Sequence, residues 1–254
     1  MAKKTAAATA AERSGDEGTA RSGEGATARL GRRERRELRQ EAAVGAAFRL
    51  AEREGLAGLS MRRLGQELDV DVTVLYRLFR DKDELLLAVA ERTIRTIVDE
   101  VGEVPEGEAW QDTLRRVARS TWDVQTRCPA ITSLTFARTT GGPAEQRLVE
   151  LQLSAFARSG LPPALAALHY RVFVDTTLGL CAHAAALGSL DPEVREKDET
   201  TWVRVYAHLP EDAHPVTRAH AEELGAVTPK AVYDTAVEAA LASAERVAAG
   251  LSPR

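Results

Sequence analysis

Residues 59–86, LSMRRLGQELDVDVTVLYRLFRDKDELL, place two segments of helical period, each barely two turns long, on either side of a three-residue joint, Asp69, Val70 and Asp71. Isolated helices this short are marginal in water, so each must be held by apolar contacts with its neighbours. Met61, Leu64 and Leu68 recur at helical spacing in the first segment, with Gly65 on the inner side, where a small residue lets another helix cross closely. Ser60 precedes it and is suited to cap its first amides. Asp69 ends it, and aspartate tolerates the left-handed turn conformation. The second segment, residues 72–79, buries Leu75 and Phe79. Two short helices held at a steep angle by a tight joint form a helix-turn-helix, whose second helix stands proud enough to enter a DNA major groove.

A longer helix precedes the pair. Leu38, Ala42, Ala43, Ala46, Ala47 and Leu50 recur at three- and four-residue steps over residues 33–54, and Gly55 is placed to cap the C-terminus. A fourth helix begins near Asp83 and carries Leu85, Leu86, Val89 and Ala90 onward to about Glu100. Apolar residues make up 44% of the 254 and aromatics only 5%, so the core is built mainly from Ala, Leu and Val. Ala and Leu are the best helix formers, and no alternating Val, Ile and Thr run flanked by hairpin signals appears. The fold class is all-α.

The net charge of −4 argues against a generally basic coat. Residues 29–82 nevertheless hold thirteen Lys or Arg against nine Asp or Glu, about +4, which leaves about −8 for the remainder. Such asymmetry hints at a nucleic-acid-facing end, and also arises on ordinary solvated surfaces. Cys128 and Cys181 form neither a metal-ligand spacing nor a disulfide scaffold. No run of about 18 apolar residues offers a membrane span, and Lys3 and Lys4 have no apolar segment behind them. The expected location is cytoplasmic. Residues 1–28 carry no large apolar side chain after Met1 and read as a disordered arm.

The stretch from 59 to 86 closely resembles the DNA-binding segment of the TetR (tetracycline-repressor) family of bacterial transcription regulators. That family has Thr or Ser opening its second helix, LA..LGV around the turn, LY.HF in the recognition helix and Lys opening the fourth. This chain has Ser60, LGQELDV, LYRLF and Lys82 in the same order and spacing. It departs at Gly65, where Ala is usual, at Asp69, where Gly is usual, and at Leu78, which replaces a frequent His and so removes a polar group from the DNA-facing end. The resemblance implies three domains: the arm at 1–28, a helix-turn-helix DNA-binding domain at 29–82, and a ligand-binding and dimerisation domain at 83–254. It implies a homodimer on double-stranded, palindromic operator DNA, released by a small, largely apolar effector.

By position, Ser60, Arg62, Val72, Thr73, Val74, Tyr76, Arg77 and Lys82 are the DNA-binding candidates. Arg62 points away from the apolar stripe, and an arginine fork meets guanine O6 and N7 together. Val72, Thr73 and Val74 form the first turn of the recognition helix, where methyl groups can meet thymine and the Thr73 hydroxyl a base or phosphate. Burial against the second helix is the alternative for Val74. Tyr76 resembles the family tyrosine that binds phosphate, and it can also pack on the first helix. Arg77 projects toward the groove. Lys82 at a helix start is disfavoured by the helix dipole, which a phosphate partner would explain.

Beyond about residue 106 the pattern stays helical. The long apolar segment 161–188 and the last helix, 228–250, are candidates for a dimer interface, the latter through Val232, Ala236, Ala239, Ala240, Ala244 and Val247; burial within one subunit is the alternative. His169, Asp175, Thr176, Thr177 and His183 interrupt the 161–188 helix. With Trp122, Phe136 and Phe173, the polar residues His169, Thr177 and His183 are the ligand-binding candidates. His208, His214 and His220, with Glu211 and Asp212 between, match no standard metal spacing, and LPEDAHPVTRAH reads as an exposed loop. No Ser-His-Asp order, glycine-rich phosphate loop or paired-carboxylate motif stands out. Neither enzyme activity nor a cofactor or metal is expected. Two alternatives stay open: an all-α carrier or enzyme with a vestigial helix-turn-helix, and a transcriptional activator.

Overall fold

Two apolar cores, joined by one helix that runs through both, organise the chain. The computed structural model describes the backbone of residues 11–251 and the side chains of residues 31–251. Twelve α-helices and one 3-10 turn, with no strand, make up these described residues. The first four are α1 (Ala11–Gly58), α2 (Met61–Glu67), α3 (Val72–Leu78) and α4 (Lys82–Val101). Then come α5 (Trp110–Arg127), α6 (Pro129–Ala137), α7 (Pro143–Arg158) and α8 (Pro163–Gly188). The chain ends in α9 (Pro192–Arg204), the 3-10 turn (Tyr206–His208), α10 (Pro215–Ala219), α11 (Ala221–Ala226) and α12 (Pro229–Leu251).

The first core gathers Ala43, Ala46, Ala47 and Leu50 of α1, Leu64 of α2, Leu75 of α3 and Leu85 and Val89 of α4. Leu50, Leu64 and Leu85 are fully buried. At about 1.5–3 kcal/mol for each fully buried large side chain, these contacts hold two seven-residue helices that could not persist alone. The caps are side chains of this sequence: Ser60 accepts from the Arg63 amide at 3.1 Å, Asp71 from the Thr73 amide at 2.8 Å and Asp81 from the Glu84 amide at 2.9 Å. Asp69 sits at φ 52°, in the left-handed conformation the turn requires. Gly65 is buried under the joint, where an added Cβ would lie 3.0 Å from the Val70 carbonyl oxygen.

Three expectations are corrected here. The apolar stripe of α1 begins at Ala43, since Leu38 is 70% exposed and Ala42 is also exposed. Leu78 does not face DNA: it is buried in the first core, and its carbonyl accepts from Gln40 Nε2 of α1 at 3.2 Å. The helix before the pair starts at Ala11 rather than near residue 33, so residues 11–28 of the expected disordered arm are helical, while residues 1–10 lie outside the described residues. Adding residues to an existing helix costs far less than nucleating one, and this segment is rich in Ala. Gly55, at φ 69° and ψ 174°, breaks α1 where a C-terminal cap was expected.

The second core comprises Ile97 and Val101 of α4, Leu114 and Val117 of α5, Phe156 of α7, Phe173 and Cys181 of α8, and Tyr233, Val237 and Leu241 of α12. Tyr233 is fully buried and its hydroxyl donates to the Ala118 carbonyl at 2.7 Å, tying α12 to α5. Burial pushes the Cys181 thiol up to about 12 and the Cys128 thiol up to about 11, so both stay protonated at neutral pH. The segment expected as a loop around residues 209–220 instead contains α10, preceded by α9 and the 3-10 turn. Its helices escape an apolar-periodicity reading because α9 and α10 bury no residue at all. Among the described residues no single helix is long and apolar enough to cross a membrane.

Replacing Asp69 by glycine removes the steric cost of a Cβ at positive φ, partly offset by the extra freedom glycine gives the unfolded chain. Asp69→Gly is expected to raise stability by about 0.5–1 kcal/mol in urea unfolding; a loss of stability would show that the aspartate stabilises the turn by another route.

Candidate nucleic-acid interface and effector cavity

The helix-turn-helix presents one polar face. Arg62, Thr73, Tyr76, Arg77 and Lys82 are all exposed, Tyr76 by 53% despite its size. Arg62 and Arg77 make no ion pair among the described residues, whereas their neighbours do. Arg63 binds Glu54 at 2.7 Å and Glu67 at 3.4 Å, Arg53 binds Glu67 at 2.9 Å, and Arg80 binds Asp81 at 3.0 Å. Val72 and Val74 are half-buried, and Val72 packs against the first core, so burial accounts for part of each side chain. Ser60 spends its hydroxyl on capping α2 but remains on the surface.

A cavity of about 360 Å³ lies beyond α4, lined from α4, α5, α6, α7 and α8. Two sequence-predicted ligand residues reach it: Thr177, buried on α8, and Phe136, half exposed at the end of α6. Four do not. Trp122 packs on Tyr233 with ring centroids 4.7 Å apart, and Phe173 meets Phe156 edge-on at 6.0 Å, both in the second core. His169 is buried on a part of α8 that does not line the cavity, and its Nδ1 has no partner among the described residues. His183 opens on a separate cleft beside Trp202, between α8, α9, α11 and α12. Helical periodicity identified the helix but not which of its faces meets the cavity.

Sequence reasoning missed the polar residues that do line the cavity. Thr121 and Gln125 of α5, Thr135 of α6 and Gln152 of α7 are each buried to 5% exposure or less and border it together with Thr177. On α5 these two sit four residues apart, at Thr121 and Gln125, and that spacing was the available signal.

The cavity wall is fastened to α4. Arg138, which follows α6 and borders the cavity, makes a bidentate pair with Asp83 in the first turn of α4, at 2.8 and 2.9 Å. The hydrogen bond from Arg138 holds the Asp83 carboxyl below its ordinary range. Two turns further along α4, Glu91 accepts from the Ala144 amide at the start of α7 and from the Thr140 hydroxyl at 2.7 Å. A carboxylate there satisfies otherwise orphaned amides and complements the helix dipole. Gly142 makes room for it, since a Cβ would lie 2.3 Å from the carboxylate carbon.

Residues 44–89 match the model for bacterial regulatory proteins of the tetR family, and residues 104–242 match the model for the tetracyclin repressor-like C-terminal domain. The chain belongs to the tetR family. An HTH-type transcriptional repressor of Mycobacterium tuberculosis is 35% identical over 117 residues; the match covers 46% of this chain and 44% of that relative, so this tetR-family chain aligns with under half of the repressor's length. Among solved structures, apo ActR from Streptomyces coelicolor superposes with a TM-score of 0.74 at 22% identity, covering 84% of this chain and 97% of ActR; ActR is also solved in complex with actinorhodin. BioQ with its double-stranded DNA operator superposes with a TM-score of 0.52 at 25% identity, covering 66% of this chain and 98% of BioQ.

Gly142→Ala must push Glu91 off the start of α7. The expected loss is about 0.5–2 kcal/mol, the usual worth of an N-terminal cap, read as a lower denaturant midpoint. An unchanged midpoint would mean that Glu91 contributes nothing as a cap.

Proposed function

We propose that this chain is a cytoplasmic transcriptional repressor that binds a palindromic operator as a homodimer and is released by a small, largely apolar effector. One observation carries the reading: Arg62 and Arg77 stand exposed on the helix-turn-helix without ion pairs while the neighbouring Arg63, Arg53 and Arg80 are all paired. Unpaired arginines on a recognition face are available to guanine edges and phosphates. Ser60, Thr73, Tyr76 and Lys82 surround them as phosphate and base contacts, with half-buried Val72 and Val74 offering methyl groups at the edge. The operator-bound relative BioQ supports the DNA partner, and the actinorhodin-bound relative ActR supports an effector in the C-terminal half. The domain limits proposed are 1–28, 29–82 and 83–254; α1 runs across the first limit and α4 serves both of the last two domains.

The dimer face we propose is the outer side of α8 and α12. Leu168 and Val172 of α8 are 56% and 43% exposed, and Val232 of α12 is 43% exposed. Ala236 and Ala239 follow Val232 along a shallow apolar groove on α12. Ala244 is not on that face, because it is fully buried within the protomer beside Leu241. Two heads so joined would meet half-sites about 34–36 Å apart, or a multiple of that.

An operator fragment protected by the protein from its own promoter region tests this function. Arg62→Ala and Arg77→Ala are each expected to weaken operator binding by about 1–3 kcal/mol while stability stays within about 0.5 kcal/mol. Wild-type affinity in both variants across a salt titration would remove the recognition surface from this face.

Ala239→Glu places like charges opposite one another across the proposed dimer face. Sedimentation is expected to show monomers, with operator affinity lost along with the second half-site. A stable dimer would move the interface elsewhere.

A further inference from the structure

We infer that the effector is a largely apolar molecule, not an anion, that carries a carbonyl-type acceptor oxygen, and that the carboxamide of Gln125 is its polar anchor. The inference rests on the cavity being the effector site proposed above. Gln125 is 1% exposed, borders the cavity, and its Nε2 has no hydrogen-bond partner among the described residues. Its other end is taken: the Thr135 hydroxyl donates to Oε1 at 2.9 Å. The hydroxyl has a single proton and also lies 3.0 Å from the Thr132 carbonyl; with that proton on Oε1, the Nε2 amide is the donor left without a partner. A buried donor without an acceptor is costly, and an acceptor oxygen entering the cavity removes that cost.

The rest of the lining sets the charge and bulk of the ligand. The interior side chains Thr121, Gln152 and Thr177 are polar but uncharged. Both rim arginines are already paired, Arg138 with Asp83 and Arg171 with Asp175 at 2.9 Å. A ligand carboxylate would enter without a free counter-charge, and burying an unpaired charge is prohibitive. Ile94, Ile97, Leu148 and Val149 supply the apolar wall. At about 360 Å³ the cavity is at the small end for ligand sites and fits two or three fused rings.

The same residue connects the ligand to the head. Thr132 of α6 donates to the Gln125 carbonyl at 2.7 Å, so Gln125 holds α6 by both its side chain and its backbone. Cys128, Ile131 and Leu134, at and within α6, belong to the first core. An oxygen drawing on the carboxamide therefore acts on a helix that the DNA-binding head is packed against.

The test uses three probes of one shape: 9-fluorenone, fluorene and fluorene-9-carboxylate, titrated calorimetrically into the full-length chain, Gln125→Met and Gln152→Met. Wild type is expected to bind fluorenone about tenfold or more tightly than fluorene, with no measurable binding of the carboxylate. Gln125→Met should bind fluorenone and fluorene alike, its fluorene binding showing that the cavity is intact, and Gln152→Met should keep the preference for the ketone. Equal binding of fluorene and fluorenone by wild type overturns the inference without any variant. So does a ketone preference that survives in Gln125→Met, or a carboxylate that binds as tightly as the ketone. Operator binding measured on the same wild-type sample separates the two readings: a chain that selects the ketone but binds no operator refutes repression and leaves the anchor standing.

Discussion

The double membership of α4 governs the rest of the structure. Its first half gives Leu85, Val89 and Ala90 to the core of the helix-turn-helix, and its second half gives Ile97 and Val101 to the core of the larger domain. A helix buried at both ends in different cores cannot shift in one without disturbing the other, because packed interiors leave few voids to absorb movement. The head is further tied to α4 by Glu41 of α1, which pairs with Arg92 at 2.8 Å and Arg95 at 3.3 Å. The cavity wall is tied to it by Arg138 and Glu91. The recognition face and the cavity are thus two places on one mechanical element.

This arrangement explains what the sequence disclosed and what it withheld. Helices α2, α3 and α4 were legible because local signals agree: Ser60 as a cap, Asp69 at the one left-handed non-glycine position among the described residues, and apolar residues at three- and four-residue steps. The outward-facing residues followed by exclusion, since whatever does not face the apolar stripe must face outward, and Arg62, Thr73 and Arg77 do. Leu78 was misplaced because the end of α3 turns back toward Gln40 of α1, a contact 38 residues away in sequence that no periodicity reports.

The cavity was harder because it is an intersection of five helices. Periodicity assigns residues to a face of a helix but does not say which neighbour that face meets. On α8, Thr177, Phe173 and His169 all lie within its buried set, yet only Thr177 borders the cavity. On α5 the buried set mixes Thr113, Ser120, Thr121 and Gln125 with apolar residues, and of these four only Thr121 and Gln125 border the cavity. The α9–α11 segment shows the converse failure: caps at Asp191 and prolines at 192 and 215 mark helix starts, but with α9 and α10 burying nothing the usual apolar stripe is missing.

Magnitudes decide which of the links to α4 can carry a signal. Coupling between an effector and DNA is typically about 1–3 kcal/mol, and a ligand can supply it only through different contacts in the two states. The Arg138–Asp83 pair lies open to water on both sides and is weakened by screening, so its rupture alone is a poor source of that energy. The Thr135–Gln125 bond is buried, where a hydrogen bond is worth about 0.5–1.5 kcal/mol net and an unmatched partner costs more. A ligand oxygen on Nε2 pulls on that bond and so bears on Ile131 and Leu134, one fully and one almost fully buried against the head. One buried hydrogen bond plus a small repacking of α6 reaches the required range, whereas the exposed ion pair serves to keep the end of α6 in register with α4 while that happens.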